Sequence, residues 1–153
     1  MIGILQAEKP EQIEEARTLF REYERWLGLD ICFQNFEEEL QNLPGKYAAP
    51  DGRLFLAAVD EKIAGCIALR KIEENICEMK RLFVRKEFRG HGLGDKLIKK
   101  LISQAQEIGY ERTWLAHCRK MRKAVSFTSL TAFGKSLLTT KTHTRKRFLW
   151  KNF

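Results

Sequence analysis

The sequence predicts an α/β fold of the α+β kind, with a mixed, mostly antiparallel sheet flanked by helices in a single domain spanning residues 1–153. Three observations predict it. Apolar and β-branched runs at 54–59, 63–72 and 76–84 are separated by short polar turns, as in antiparallel hairpins. Two other stretches, 10–27 and 92–108, carry apolar residues three and four apart, as amphipathic helices do. Finally, 153 residues that are 44% hydrophobic are enough for one core and leave little room for a second.

Taken in order, Ile2–Ala7 reads as a short strand, and Pro10-Glu11 opens a helix whose Ile13, Ala16, Phe20, Tyr23 and Leu27 share one face up to Gly28. Trp26, Tyr23 and Phe20 are assigned to that apolar stripe and not to a substrate cage. Phe36–Leu43 reads as a shorter helix closed by Pro44-Gly45, and Tyr47–Gly52 as a loop. Leu54–Val59 and Ile63–Ile72 form a hairpin across Asp60-Glu61-Lys62, and Ile76–Val84 returns after Glu73-Glu74-Asn75. Leu93, Leu97, Leu101, Ala105 and Ile108 mark the strongest helix, closed by Gly109. Thr113–His117 reads as one more strand and Met121–Leu130 as one more helix, whereas Ser136–Phe153 shows no sheet pattern.

Composition narrows the function classes. No run approaches the roughly 18 apolar residues of a membrane span, and Met1–Ala7 lacks a basic, apolar leader, so no membrane association and a cytoplasmic location are expected. Cys32, Cys66, Cys77 and Cys118 include no C-x-x-C pair and no histidine partner at metal spacing, which points to free thiols and to no metal. The net charge of +8 invites a nucleic-acid partner, but its distribution argues against one. Residues 1–111 hold all 20 acids and 17 bases, whereas residues 112–153 hold 11 bases and no acid and lack the interleaved aromatics of a base-stacking surface. One segment makes the protein basic.

The strongest local signal is Arg89-Gly90-His91-Gly92-Leu93-Gly94, set between the strand ending at Val84 and the 92–108 helix. Glycines allow positive φ, so successive N–H groups can converge on an anion, and a helix N-terminus adds roughly half a positive charge. Arg85, Lys86, Arg89 and Lys96 flank this cradle. It is not a P-loop, and Asp95 stands where the dinucleotide fingerprint would need its third glycine.

R-x-x-G-x-G opening a helix after an antiparallel strand resembles motif A of the GNAT N-acetyltransferase superfamily, and residues 77–110 are similar to that family's fourth strand, pyrophosphate loop and third helix. The resemblance covers roughly residues 1–126 and implies an N-acetyltransferase moving acetyl from acetyl-CoA to an amine of a small molecule or peptide, without a metal. It implies that backbone groups of Leu82, Phe83 and Val84 pair with the pantetheine arm. Arg89, Gly90, His91, Gly92, Leu93 and Gly94 would hold the pyrophosphate, with the His91 side chain a solvent-facing spacer. An ammonium must lose its proton before it can attack a thioester, so a base is needed. Glu78 is the candidate. Strand alternation places it on the face of Ile76, Leu82 and Val84, with pairing to Lys80 or Arg70 as the alternative structural role. Glu37, Glu38 and Glu39 read as a solvated helix face.

The resemblance fails after residue 126. Similar enzymes end with a tyrosine-bearing helix, then G-F and two strands; here Thr128 stands at the tyrosine's place and the C-terminal strands are expected to be missing or non-native. Joining the last base of each codon to the first two of the next restores that ending. Phe127-Thr128 must then encode Tyr or His, residues 132–136 permit G-F-R-E-I, 137–140 permit P-P-Y-Y, and Trp150-Lys151 gives a forced Glu. Residues 127–153 are therefore expected to be an out-of-frame tail. Loss of the last strands would expose a sheet edge, favouring instability or a homodimer, and a CoA-binding remnant without activity is the alternative function.

Overall fold

The computed structural model describes residues 1–28 and 36–115, together with the strand backbones of 136–140 and 146–151. Strands β1 (Ile2–Gln6), β2 (Arg53–Val59), β3 (Lys62–Glu73) and β4 (Ile76–Val84) form an antiparallel meander, and β5 (Arg112–Leu115) joins β4 in parallel. A parallel neighbour requires a crossover, here made by helix α3 (Leu93–Ile108). Helices α1 (Pro10–Leu27) and α2 (Phe36–Gln41) lie between β1 and β2 in the chain. Proline at the start of α1 removes an N–H that would go unused, the Gln12 side chain accepts from the Glu8 and Lys9 amides at 3.0 Å, and Gly28 ends the helix at φ 59°.

The sheet is covered on both faces. Phe55, Ile67, Leu69, Met79, Leu97 and Leu101 are buried between the sheet and α3. Leu19, Phe20, Leu54, Leu56, Ala68 and Phe83 are buried beneath α1 and α2.

One irregularity positions the site. Between Cys66↔Phe83 and Ala68↔Lys80, β3 advances two residues while β4 advances three, so β4 carries a bulge in which Arg81 adopts φ 59°. Leu82 therefore packs with Cys77 and Met79 toward α3, and Phe83 packs toward α1. This corrects the expected alternation: Glu78 does not share a face with Leu82 and Val84, because the extra residue inverts the pleat between them.

At the C-terminal end of the chain, β6 (Ser136–Thr140) and β7 (Lys146–Lys151) form an antiparallel hairpin, and β7 pairs with β5 through Arg112↔Lys151 and Thr113↔Trp150, giving the order β1-β2-β3-β4-β5-β7-β6. Of the two expectations for this end, strands missing or strands non-native, the first does not hold. Thr139, Thr140, Phe148 and Trp150 favour extended backbone, and an unpaired β5 edge offers N–H and C=O groups that any extended segment can satisfy. The proposed helix Met121–Leu130, Thr128, Cys32 and Cys118 lie outside the described residues. Cys66 and Cys77 are buried free thiols, both pushed up by burial, Cys77 to about 11. No described helix is long and apolar enough to cross a membrane.

Candidate active site

After β4, a single 3-10 turn at Lys86–Phe88 leads into Gly90 at φ 85° and Gly92 at φ 72°, and α3 begins at Leu93. Both glycines occupy the left-handed region that L-residues avoid. A Cβ on either would meet no atom within 4 Å, so bare backbone borders open space, and no side chain caps α3. Together these features suit an anion. Leu93 is buried in the α3 core, which leaves its backbone as the part that can face a ligand, and Gly94 lies in the first turn of the helix. His91 is exposed, with Nδ1 3.3 Å from the Phe88 carbonyl, which agrees with a spacer.

Beside the loop, β3 pairs with one edge of β4 up to Gly65↔Val84, and β5 pairs with the other from Ile76↔Arg112 to Met79↔Leu115. Gly65 permits that close approach, since a Cβ there would lie 2.5 Å from the Phe83 carbonyl oxygen. Leu82, Phe83 and Val84 thus carry one row of backbone groups turned away from β3. Arg89 extends along the same end: its Nε donates to the Val84 carbonyl at 2.8 Å, and its guanidinium lies 5.0 Å from the Trp26 ring and 5.9 Å from the Phe83 ring. A cleft of about 650 Å³ opens between Glu22, Trp26, Phe83, Arg85 and Arg89. Trp26, read as core, therefore also forms a wall of this cleft. Arg85 is committed to Glu22, at 2.8–3.2 Å, and to the Ile63 carbonyl at 2.7 Å.

Glu78 sits on the α1/α2 face, buried to 8% exposure, and is gripped by Arg70 directly opposite on β3, with Nε at 2.8 Å and the terminal nitrogen at 2.6 Å. The alternative structural role is therefore present. The same carboxylate stands two residues before the bulge and opposite Trp114 of β5.

Three neighbours take roles here that differ from those read in the sequence or that the sequence did not assign. Glu39, read as solvated, has a side chain only 5% exposed: it is ion-paired to Arg81 at 2.5 Å and to Lys46 at 3.6 Å, and it accepts from the Tyr47 hydroxyl. Burial acts to raise its carboxyl, but Arg81, Tyr47 and Lys46 outweigh that and hold it below the usual carboxylate range. The signal was available, since Phe36 and Glu39 are three apart on one helix and share a face with Leu40. Arg81 lies over Phe36 at 5.2 Å and is itself buried. The third neighbour is Lys80, which burial first, then Arg81 and Arg70, push down to about 8.

The Lys80 shift makes stability depend on pH. Because the folded value lies below the ordinary lysine value of 10.5, the unfolded chain binds more protons between about pH 8 and 10.5, and stability rises with pH across that window. Lys80→Met removes the cost of the charge. Its urea midpoint should exceed that of the wild type at pH 7, with the gap narrowing above pH 8; a gap independent of pH would place this ammonium in solvent.

Comparison with known proteins gives consistent results. The family model described as the acetyltransferase (GNAT) family matches residues 13–129. An uncharacterised N-acetyltransferase of Dictyostelium discoideum is 33% identical over 177 aligned residues, covering 76% of this chain and 82% of its own. Another from Schizosaccharomyces pombe is 37% identical over 111 residues, covering 71% and 68%. Among solved structures, a GNAT-family acetyltransferase from Staphylococcus aureus superposes with a TM-score of 0.77 at 21% identity over 99% of both chains. The PaiA N-acetyltransferase from Thermoplasma acidophilum, in complex with coenzyme A, gives 0.73 at 17% identity over 99% of both chains. At these identities the structural likeness concerns the fold.

Proposed function

This chain belongs to the GNAT acetyltransferase family, and from that premise we propose that it transfers an acetyl group from acetyl-CoA to a primary amine of a small molecule or peptide, with Glu78 taking the amine's proton. The observation that carries this reading is the placement of a buried carboxylate on β4, two residues before its bulge, on the strand that leads to the Gly90–Gly92 loop. The coenzyme, when bound, supplies an activated acetyl thioester. Gly90, Gly92 and the α3 N-terminus would receive its diphosphate on backbone N–H groups, with the backbone of Leu82, Phe83 and Val84 offered to the pantetheine amides. That the loop fits a diphosphate is supported by the space a Cβ would otherwise take.

On the amine side, Glu78 would accept a proton while Arg70 fixes its carboxylate in place. As the amide N–C bond forms the thioester C–S bond breaks, and the coenzyme leaves as its thiol. Thiol release from acetyl-CoA, followed across a panel of amines with product masses, tests this reading, and acetyl-CoA binding without product from any amine would reject it. Arg89→Ala should weaken acetyl-CoA binding by roughly 1.5–3 kcal/mol if a charged hydrogen bond to phosphate is lost. Calorimetry showing unchanged affinity would confine Arg89 to its Val84 and Trp26 contacts.

A second reading, an inactive CoA-binding remnant, is favoured by one observation: the family match stops at residue 129, near where the shifted codons begin. We propose that residues 127–153 are an out-of-frame tail in which Thr128 replaces a tyrosine suited to protonating the leaving thiolate. Sequencing the coding DNA across 110–153 decides it, and an uninterrupted frame confirmed by the intact protein mass would make this C-terminus a genuine variant.

A further inference from the structure

The α1/α2 face of β4 holds more positive charge than its acids balance. Arg70, Lys80 and Arg81 converge there with two carboxylates, Glu78 and Glu39, which approach the Lys80 ammonium closely enough to act on it together with both guanidiniums. Each carboxylate is already engaged, Glu78 by Arg70 at 2.6 Å and Glu39 by Arg81 at 2.5 Å, with Lys46 and Tyr47 also on Glu39. Among the described residues, no acid forms an ion pair with Lys80. Backbone register settles where Lys80 points: it lies opposite Ala68, which is buried on the α1/α2 face, and two residues from Glu78 on the same side of the bulge. A half-buried cation without a carboxylate is unfavourable unless something supplies the missing charge. In the same cluster, Arg81 is only 9% exposed, and its Nε is a buried donor without an acceptor among the described residues.

An acceptor amine enters as an ammonium, which brings one more positive charge to this face. A purely cationic acceptor would be repelled by Arg70, Lys80 and Arg81. One that also carries an anion adds no net charge, and its two ends meet opposite partners, its ammonium toward Glu78 and its anion toward Lys80. Resting on the acetyltransferase reading above, we propose that the acceptor is a zwitterionic small molecule, an amine bearing a carboxylate, and that Lys80, with Arg70 beside it, holds that carboxylate while Glu78 receives the proton.

The test uses the full chain, acetyl-CoA and matched pairs of acceptors: leucine, lysine, phenylalanine and glycine, each against its decarboxylated amine. The carboxylated member of a pair should show the higher kcat/KM by roughly ten- to a hundredfold, as loss of a charged hydrogen bond would give. In Lys80→Met the preference should collapse to near unity through KM, with acetyl-CoA affinity unchanged and the fold retained, and Lys80→Arg should recover part of it. Equal or better use of the decarboxylated amines, or a preference of the same size in Lys80→Met, overturns the proposal. If no amine of either kind is acetylated, the transfer reading fails, and the acceptor proposal is then read from calorimetry of the four amino acids on the CoA-bound chain. Binding that Lys80→Met abolishes supports it, and no binding overturns it.

Discussion

Gly92→Val is expected to abolish measurable acetyl-CoA binding while leaving the fold largely intact. Gly92 holds φ 72° at the entrance to α3, a conformation that costs an L-residue roughly 1–2 kcal/mol and a β-branched one more. Its absent Cβ points into open space, so the valine would clash with nothing in the protein and would fill the volume in which a diphosphate must approach the backbone. Losing two charge-assisted N–H contacts at about 1.5 kcal/mol each lowers affinity on the order of 10²-fold. Strain and obstruction can be separated with Gly92→Asn, since asparagine tolerates positive φ yet still intrudes. If both variants lose binding in calorimetry and retain their thermal transitions, obstruction is the cause. Normal affinity in folded Gly92→Val would remove this loop from the coenzyme site.

Glu78→Gln should lower turnover on the order of 10² to 10⁴ with acetyl-CoA affinity near normal. Glutamine keeps the shape and one acceptor for Arg70 but cannot take a proton from an ammonium. The Arg70 grip sharpens the test. A carboxylate present only to satisfy Arg70 would show its loss in stability, with kcat retained, because Arg70 at 31% exposure can be partly rehydrated. A proton acceptor would show it in kcat. Arg70→Met supplies the converse case, leaving Glu78 charged but no longer held. Full activity of Glu78→Gln from pH 6 to 9 would mean that water or another group takes the proton.

The parts of this site that were legible in the sequence depend on local backbone chemistry. The Gly90–Gly92 loop could be read because positive φ, a missing Cβ and a helix start all lie within a few residues, and each has a physical consequence wherever it occurs. Helices α1 and α3 could be read because their buried residues repeat at helical spacing over 18 and 16 residues. The face of Glu78 was misassigned because alternation assumes a regular pleat, and no pattern in Ile76–Val84 announces that Arg81 inserts an extra residue. Glu39 was misassigned because three glutamates in a row look like a solvated face, although only one of them turns beneath the sheet to meet Arg81.

The C-terminal hairpin follows the same logic. Its strands lack a readable alternation, yet β7 pairs with β5 because sheet hydrogen bonds use backbone groups common to every residue, and a free edge selects for extended chain over pattern. By itself, then, the sequence determined the meander, the two long helices and the Gly90–Gly92 loop, since each is set by interactions within a few residues. Only the tertiary structure decided that Glu78 meets Arg70, that Glu39 neutralises Arg81 and that Lys80 is left between them, because burial and charge pairing arise where separate elements are brought together and cannot be read along the chain.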